Sequence, residues 1–540
     1  MTSDSTLARR ALAVVGGAAA TALVLSGCAS GGDATDALDG LSIGTTDVIT
    51  SLDPAGSYDN GSFAVQNQVF GFLTNAPYGS PDVEPDLAES ADFTSPTEYT
   101  VKLKDGLTFA NGNALTSSDV KFSFDRQLAI ADPNGPSSLL GNLASTDAPD
   151  DTTVVFTLKS ADQTWPQVLS SPAGPIVDED VFSATGLTDA DDIVKGDAFS
   201  GQYTITDYSQ NETIAYAAND AYDGVLGAPK TDSVTATYYT EETDLKLAVQ
   251  NGDVDVANRS LSPTDLADLA KDDALTVHNG PGGEIRYLVF NFNTMPYGAT
   301  QPDADPAKAL AVRQSVADTV DRAALAKDVY NDTYTPLYSV VPDGLTGATK
   351  PLESLYGDGQ GGPDVDKAAA ALSAAGVSTP VSIDLQYSPD HYGASSDEEY
   401  ALIKSQLEAS GLFTVNLQST LWDTYSTERR EDAYPVYQLG WFPDFSDADN
   451  YLTPFFSADN FVGNHYDSPT VQGLLTKEIG EQDASAREAT IGEIQDAVAA
   501  DLPTLPLLQG TQVVVSQSDV KGVDDTLDAS FKFRYGALSR

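Results

Sequence analysis

Two hydrophobic periods take turns along most of this 540-residue chain, and their alternation is what most constrains its fold. Stretches repeating every two residues read as strands, and stretches repeating every three or four read as helices. Leu41-Ser-Ile-Gly-Thr45 is a first strand, followed by the loop Ser51-Leu-Asp-Pro-Ala55 and a helical spacing over 63–73. Tyr99, Val101 and Leu103 mark one face of a half-buried strand. Thr116-Ser-Ser-Asp119 supplies N-cap chemistry for a helix carrying Val120, Phe124 and Leu128 at i, i+4 and i+8. Further strands are predicted over 153–159, 213–218, 233–238, 275–278 and 286–292, with a helix over 242–251 ended by Asn-Gly. Val312, Val316 and Val320 share a helical face. Helices over 367–375, 398–410 and around Ile491, Ile494 and Val498 then alternate with strands over 381–387, 413–417 and 512–516. Such alternation through both halves means an α/β fold built from crossover units. No repeat of solenoid period interrupts it.

At ~100–200 residues per domain, the length suggests about three domains or one large two-lobed body. The 24 Tyr, 20 Phe and 3 Trp supply bulk for sizeable cores. Eighty acidic side chains against 28 basic ones give a formal charge of −52, which excludes nucleic acid and anionic membrane surfaces as electrostatic partners. One Cys forbids an intramolecular disulfide, and three His leave little material for zinc or haem, so neither metal nor cofactor is expected. That Cys, Cys28, follows Arg9-Arg10, an uncharged stretch over 11–25, and Ser26-Gly27. The stretch is too short to span a ~30 Å hydrocarbon core and suits a secretory signal. Leu25-Ser-Gly-Cys28 resembles the bacterial lipobox, in which the Cys becomes the lipidated first residue of the mature protein. Residues 1–27 would then be a lipoprotein signal peptide and 28–37 the lipidated Cys with its polar tether. The expected address is extracytoplasmic, anchored to the outer face of the cell membrane, on the periplasmic side where there are two membranes. An ordinary signal peptide with a stray Cys is the alternative, and the Arg pair hints only weakly at twin-arginine export.

Motifs of catalysis are absent or accidental. Gly40-Leu-Ser42-Ile-Gly44 fits G-x-S-x-G in letters, but a strand contains the Ser where a nucleophile elbow needs strand, turn and helix. There is no G-x-G-x-x-G, P-loop, H-E-x-x-H or C-x-x-C. Asp444, Asp447, Asp449 and Asn450 cluster enough to suggest Ca²⁺, yet lack the Gly and terminal Glu of an EF-hand loop. No catalytic residue is assigned, and the chain is not read as an enzyme.

Several ordered segments carry a resemblance instead. Glu84-Pro-Asp-Leu-Ala-Glu-Ser, Tyr99-Thr-Val-Lys-Leu-Lys-Asp-Gly-Leu-Thr-Phe and Asn111-Gly-Asn-Ala-Leu-Thr-Ser-Ser-Asp-Val-Lys-Phe-Ser resemble the signature region of extracytoplasmic solute-binding proteins of ABC importers, family 5, the dipeptide, oligopeptide and nickel class. Residues 245–256, Tyr287-Leu-Val-Phe-Asn-Phe-Asn, Val312-Arg-Gln-Ser-Val-Ala-Asp-Thr-Val-Asp-Arg and Gly440-Trp-Phe-Pro-Asp-Phe-Ser-Asp-Ala-Asp-Asn-Tyr-Leu are similar to later segments of that family. The resemblance implies a two-lobed, type II periplasmic-binding-protein-like fold with an extra subdomain. Lobe I would combine 38–78, 195–290 and 508–540, the inserted subdomain would cover 79–194, and lobe II 291–507. Two chain crossings would act as the hinge of a cleft that closes on ligand.

The same resemblance implies a short peptide as ligand, a membrane permease with its ATPase subunits as partner, and a monomer. If 438–444 is extended, Gln438, Gly440, Phe442 and Asp444 point one way. Gly440 and Phe442 would meet the peptide backbone, with Trp441 between them, and Asp444 would take the ligand's α-ammonium. Trp422 matches a pocket-lining Trp. Gln438 stands where some relatives carry Arg, so Arg429 and His391 are the candidates for the peptide carboxylate. Tyr58 and Asn60 would close from the other lobe. The same scaffold could instead carry a nickel chelate, an oligosaccharide, an opine or haem. A secreted carboxylate-based hydrolase is the alternative from another class, and a chaperone or peptide-signal sensor a third.

Overall fold

The structure is a computed structural model that describes residues 40–540 except Ser260, Ala394, Asp459 and Phe531. Cys28, the secretory segment and the whole tether lie outside the described residues. No helix among the described residues is long and apolar enough to cross a membrane.

The alternating pattern builds two parallel kernels. Leu41–Thr45 runs parallel to both Ser233–Tyr238 and Val256–Asn258. Val381–Tyr387 runs parallel to both Phe413–Ser419 and Val436–Trp441. Parallel neighbours need a crossover, and helices Glu242–Asn251 and Ser396–Ala409 supply two of them. Leu275–Phe290 and Thr504–Gln517 pair antiparallel with each other and join the kernels into one 11-stranded sheet.

Each kernel has its own core. Ile43, Val234, Ala236 and Val256 pack on one face of the first, and Leu245, Val249 and Leu266 on the other. Leu288, Val316, Ile383, Ile403 and Leu505 fill one face of the second, and Tyr287, Tyr437, Leu439 and Ile494 the opposite face. The crossing strands therefore begin in one core and end in another, as two lobes joined by two strands require. A further core of Val101, Phe124, Phe156 and Trp165 lies under a separate four-stranded sheet, Ala88–Ser95, Glu98–Leu103, Thr153–Leu158 and Leu143–Asp150. This is the extra subdomain. Burial at about 1.5–3 kcal/mol per large apolar side chain makes cores of this size sufficient without cross-links.

Three expectations are corrected. The strands over 275–278 and 286–292 are one strand, Leu275–Phe290. Asn279-Gly-Pro-Gly-Gly283 does not end it, because the extra residues are absorbed as a register shift between Pro281 and Ile285. The strand predicted over 512–516 begins already at Thr504, with Pro506 inside it. Third, Val120 and Phe124 are fully buried on helix Ser117–Ile130, but Leu128 is 40% exposed because the helix outruns the core it packs on. Thr116 caps it as read, and Asp119 completes a capping box by accepting from the Thr116 N–H. Ser42 sits within its strand with Oγ donating to Asp255 Oδ2 at 2.9 Å, so no nucleophile elbow exists there.

Candidate ligand-binding cleft

Between the lobes lies a cavity of about 370 Å³. One lobe contributes Asn60, Phe63, Asn258 and Leu266, the other Tyr334, His391 and Phe442, and the crossing strands Glu284, Arg286 and Gln512. Asn60, Phe63 and Phe442 also line a second space of about 200 Å³, which reaches Tyr58, Asp59 and Asp444.

The Tyr58–Asn60 segment is held from both sides. Asp59 caps helix Asn60–Val69 by accepting from the Ser62 N–H. Upstream, Asp53 accepts from the Ala55 N–H and takes a two-pronged bond from the buried Arg126, at 2.8 and 2.5 Å. Bidentate Arg–carboxylate pairs add geometric specificity to their strength. The loop after Leu52-Asp53-Pro54 is thereby tied to the inserted subdomain.

Asp444 lies three residues past the end of strand Val436–Trp441. Asn450 fixes it. Its amide nitrogen donates to Asp444 Oδ2 at 3.2 Å, and its Oδ1 accepts from the Asp444 N–H at 2.9 Å and from Trp441 Nε1 at 3.0 Å. From the other lobe the Tyr58 hydroxyl donates to Asp444 Oδ1. Burial raises the pKa of Asp444, partly opposed by the bonds from Tyr58 and Asn450. Burial and the neighbouring carboxylate raise that of Tyr58, which therefore remains a donor. Gly283 of the crossing strand lets this segment come close, since a Cβ there would stand 2.6 Å from Pro443 Cγ.

His391 lines the larger cavity, stacked on Trp422 with ring centroids 3.6 Å apart and planes 3° from parallel. Burial lowers its pKa, which favours the neutral ring. Trp422 supports His391 from behind. Gly440 is covered by Tyr392, whose Cε1 would stand 2.7 Å from an added Cβ. Gln438 is committed internally: its Oε1 accepts from the Ser388 N–H and its amide nitrogen donates to Ser396 Oγ. Arg429 is 1% exposed, donates to the carbonyls of Phe461 and Val462 and lies 4.6 Å over the Phe461 ring. Thus Tyr58, Asn60, His391, Phe442 and Asp444 meet at the two spaces. Trp441, Gly440 and Trp422 stand behind them. Gln438 and Arg429 point into the lobe and line neither space, because their polar atoms serve its interior.

Arg286 was not singled out from sequence, although a lone charge in the apolar run 285–290 is its signal. Its guanidinium lies 4.9 Å from the Tyr334 ring centroid and 5.3 Å from that of Tyr330, with Glu284 at 3.3 Å and Glu399 at 3.5 Å. The acidic cluster after Asp444 is likewise internal. Arg487 forks onto Asp447 at 2.8 and 2.7 Å and reaches Glu478 at 3.0 Å. Among the described residues no group of three or more His, Cys, Asp or Glu is placed to hold a metal.

That cluster predicts a pH dependence. Burial and the neighbouring Asp449 push Glu478 from 4.5 up to about 9. Folded Glu478 thus keeps a proton that the unfolded chain releases above its ordinary value, so stability falls as pH rises between those limits. The melting temperature of Glu478→Gln should match wild type near pH ~5 and exceed it increasingly toward pH ~9. Parallel melting curves across that series would refute the assignment.

Residues 82–463 match the family model for bacterial extracellular solute-binding proteins, family 5, middle region. The chain belongs to this family. Its quoted sequence segments from Glu84 to Leu452 all lie within the match. The chain is 26% identical to the probable D,D-dipeptide-binding periplasmic protein of Escherichia coli (strain K12), over 90% of this chain and 91% of that one. It is 25% identical to heme-binding protein A of Haemophilus influenzae, covering 85% of each. The solved structure of a periplasmic murein tripeptide-binding protein, in its unliganded open form, superposes with a TM-score of 0.78 at 19% identity, over 93% of this chain and 97% of that one. This solute-binding protein is accordingly an extracytoplasmic transport component of the two-lobed class.

Proposed function

We propose that this protein captures short peptides between its lobes and delivers them to the permease and ATPase subunits of an ABC importer, acting as a lipid-anchored monomer. The observation that carries the reading is Asp444. Its carboxylate is fixed by Asn450 at the cleft and meets, in Tyr58, a donor from the opposite lobe. A ligand ammonium is a stronger donor for the same oxygen. Main-chain bonds with a charge clamp at one end would grip many sequences, so selectivity would be for length and free termini. The dipeptide and murein tripeptide named for two relatives support this cargo, while the heme-binding relative keeps a second one in view. Lipid attachment at Cys28 rests on Leu25-Ser-Gly-Cys28. Separate cores support a division into lobe I (38–78, 195–290, 508–540), inserted subdomain (79–194) and lobe II (291–507), although Val177, Phe182 and Ile193 pack in the first lobe's core and Leu288 and Phe290 in the second's.

Native mass spectrometry of the purified protein tests the cargo. Co-purified peptides are the expected result; haem, a metal chelate, an opine or a sugar would overturn it, and turnover of added peptide would mark a hydrolase. Closure gives a separate prediction. Saturating peptide should reduce the radius of gyration in solution scattering and raise the melting temperature, since ligand at 100 times its Kd adds about 2.7 kcal/mol. An identical scattering curve would mean a rigid binder.

A further inference from the structure

We propose that Lys532 is an anion subsite of the cleft that receives a ligand carboxylate, an inference that rests on the peptide reading above. Lys532 lines the larger cavity but is only 8% exposed. Its ammonium donates to the carbonyl and the hydroxyl of one residue, Ser170, at 2.7 and 2.6 Å. Lysine carries three N–H donors, and the third has no acceptor among the described residues. The remaining surroundings are aromatic: the Phe63 and Phe72 ring centroids lie 5.7 and 5.6 Å away.

The other cavity-lining Lys and Arg side chains have carboxylate partners. Arg286 has Glu284 and Glu399, and Arg259 has Asp47 at 3.6 Å. No carboxylate is within ion-pair reach of Lys532 among the described residues; Asp528 and Asp86 act on it only from farther off, against the like charge of Arg534. A buried cation without a counter-ion is costly, and a group in that position is relieved by an arriving anion. Burial first, and Arg534 second, hold its pKa well below the ordinary lysine value. An incoming carboxylate opposes that shift and favours the charged amine. Phe63 connects the two ends. Its ring lies against the Lys532 ammonium, and it also lines the space that reaches Asp444. A chain with its amine at Asp444 and its carboxylate at Lys532 would run past Phe63.

The test compares trialanine with its C-terminal amide by calorimetric titration of wild type, Lys532→Met and Lys532→Arg. Wild type should prefer the free acid by about 30-fold or more. Lys532→Met should bind both forms alike, at the level wild type shows for the amide, and Lys532→Arg should restore part of the preference. Titrations in buffers of different ionisation enthalpy should show more proton uptake with the acid than with the amide. No preference in wild type, or an undiminished one in Lys532→Met, overturns the subsite while leaving peptide capture standing. Failure of wild type to bind either peptide counts against the peptide reading, and the subsite is then read alone. Propionate should protect Lys532 of wild type from acetylation by acetic anhydride, followed by peptide mapping, whereas propionamide should not. Absence of protection, or equal protection by chloride, overturns a carboxylate site.

Discussion

Asp444→Asn weakens binding of a peptide with a free N-terminus by roughly 30-fold to several-thousand-fold, because removing one partner of a buried charge pair costs ~2–5 kcal/mol. The substitution keeps the shape and the contact with Asn450, so a loss close to that of Asp444→Ala assigns the effect to charge. Acetylating the peptide's N-terminus cuts the same pair from the other side. The two changes together should cost much less than their sum. The pH profile follows from the same contact. At the acid end, binding fails as Asp444 takes up a proton, at a pH above the ordinary carboxylate value because its pKa is raised by burial. At the alkaline end, it fails as the α-amine, near pH ~8 when free, loses its proton somewhat above that value. Calorimetric titration of free and acetylated peptide against both proteins decides the matter. Additive losses would mean that Asp444 does not touch the amine, and equal wild-type affinity for the two peptides would remove the clamp.

Cys28→Ala should release the protein from membranes or stop its maturation altogether. On the lipidation reading the lost energy would be that of whole acyl chains, at ~0.8 kcal/mol per buried CH₂, and two or more chains give stable anchoring where one does not. Nothing among the described residues compensates: the net charge is −52, and no helix there is long and apolar enough to cross a membrane. Fractionation with intact-mass measurement of the mature protein reads both outcomes. Unchanged retention with unchanged mature mass would refute lipidation at this residue.

Much of the architecture was legible because periodicity reports burial directly. The strands at Leu41, Glu98 and Val381 and the helix carrying Val312 and Val316 stand where their apolar spacing puts them. The crossing strands were not, because Gly and Pro over 279–283 read locally as a break. Whether such residues end a strand depends on whether its neighbour continues, and here Thr504–Gln517 runs past them. The cleft was legible in part. Asp444, Tyr58, Asn60, His391 and Phe442 reach the two spaces between the lobes, whereas Arg429 does not. An arginine's charge says nothing about which carbonyls it will meet, and those of Phe461 and Val462 lie more than 30 positions along the chain. Lys532 is hidden in the sequence for the same reason, since Ser170, Phe63 and Phe72 come from segments far from it.

The two crossing strands also decide how the molecule can move. Hydrogen-bonded to each other along most of their length, they form a ribbon, not a pair of independent tethers. A ribbon resists sliding, which would break every rung at once, but it twists and folds at low cost where rungs are missing. The gap between Pro281 and Ile285 is such a place, and Gly283 within it touches the segment that presents Asp444. Opening and closing, if saturating peptide compacts the molecule, would then be a rotation about one short axis beside the Asp444 end of the cleft. A small change of angle there becomes a large displacement at the far rims of the lobes, which suits a receptor whose loaded state must be recognised from outside.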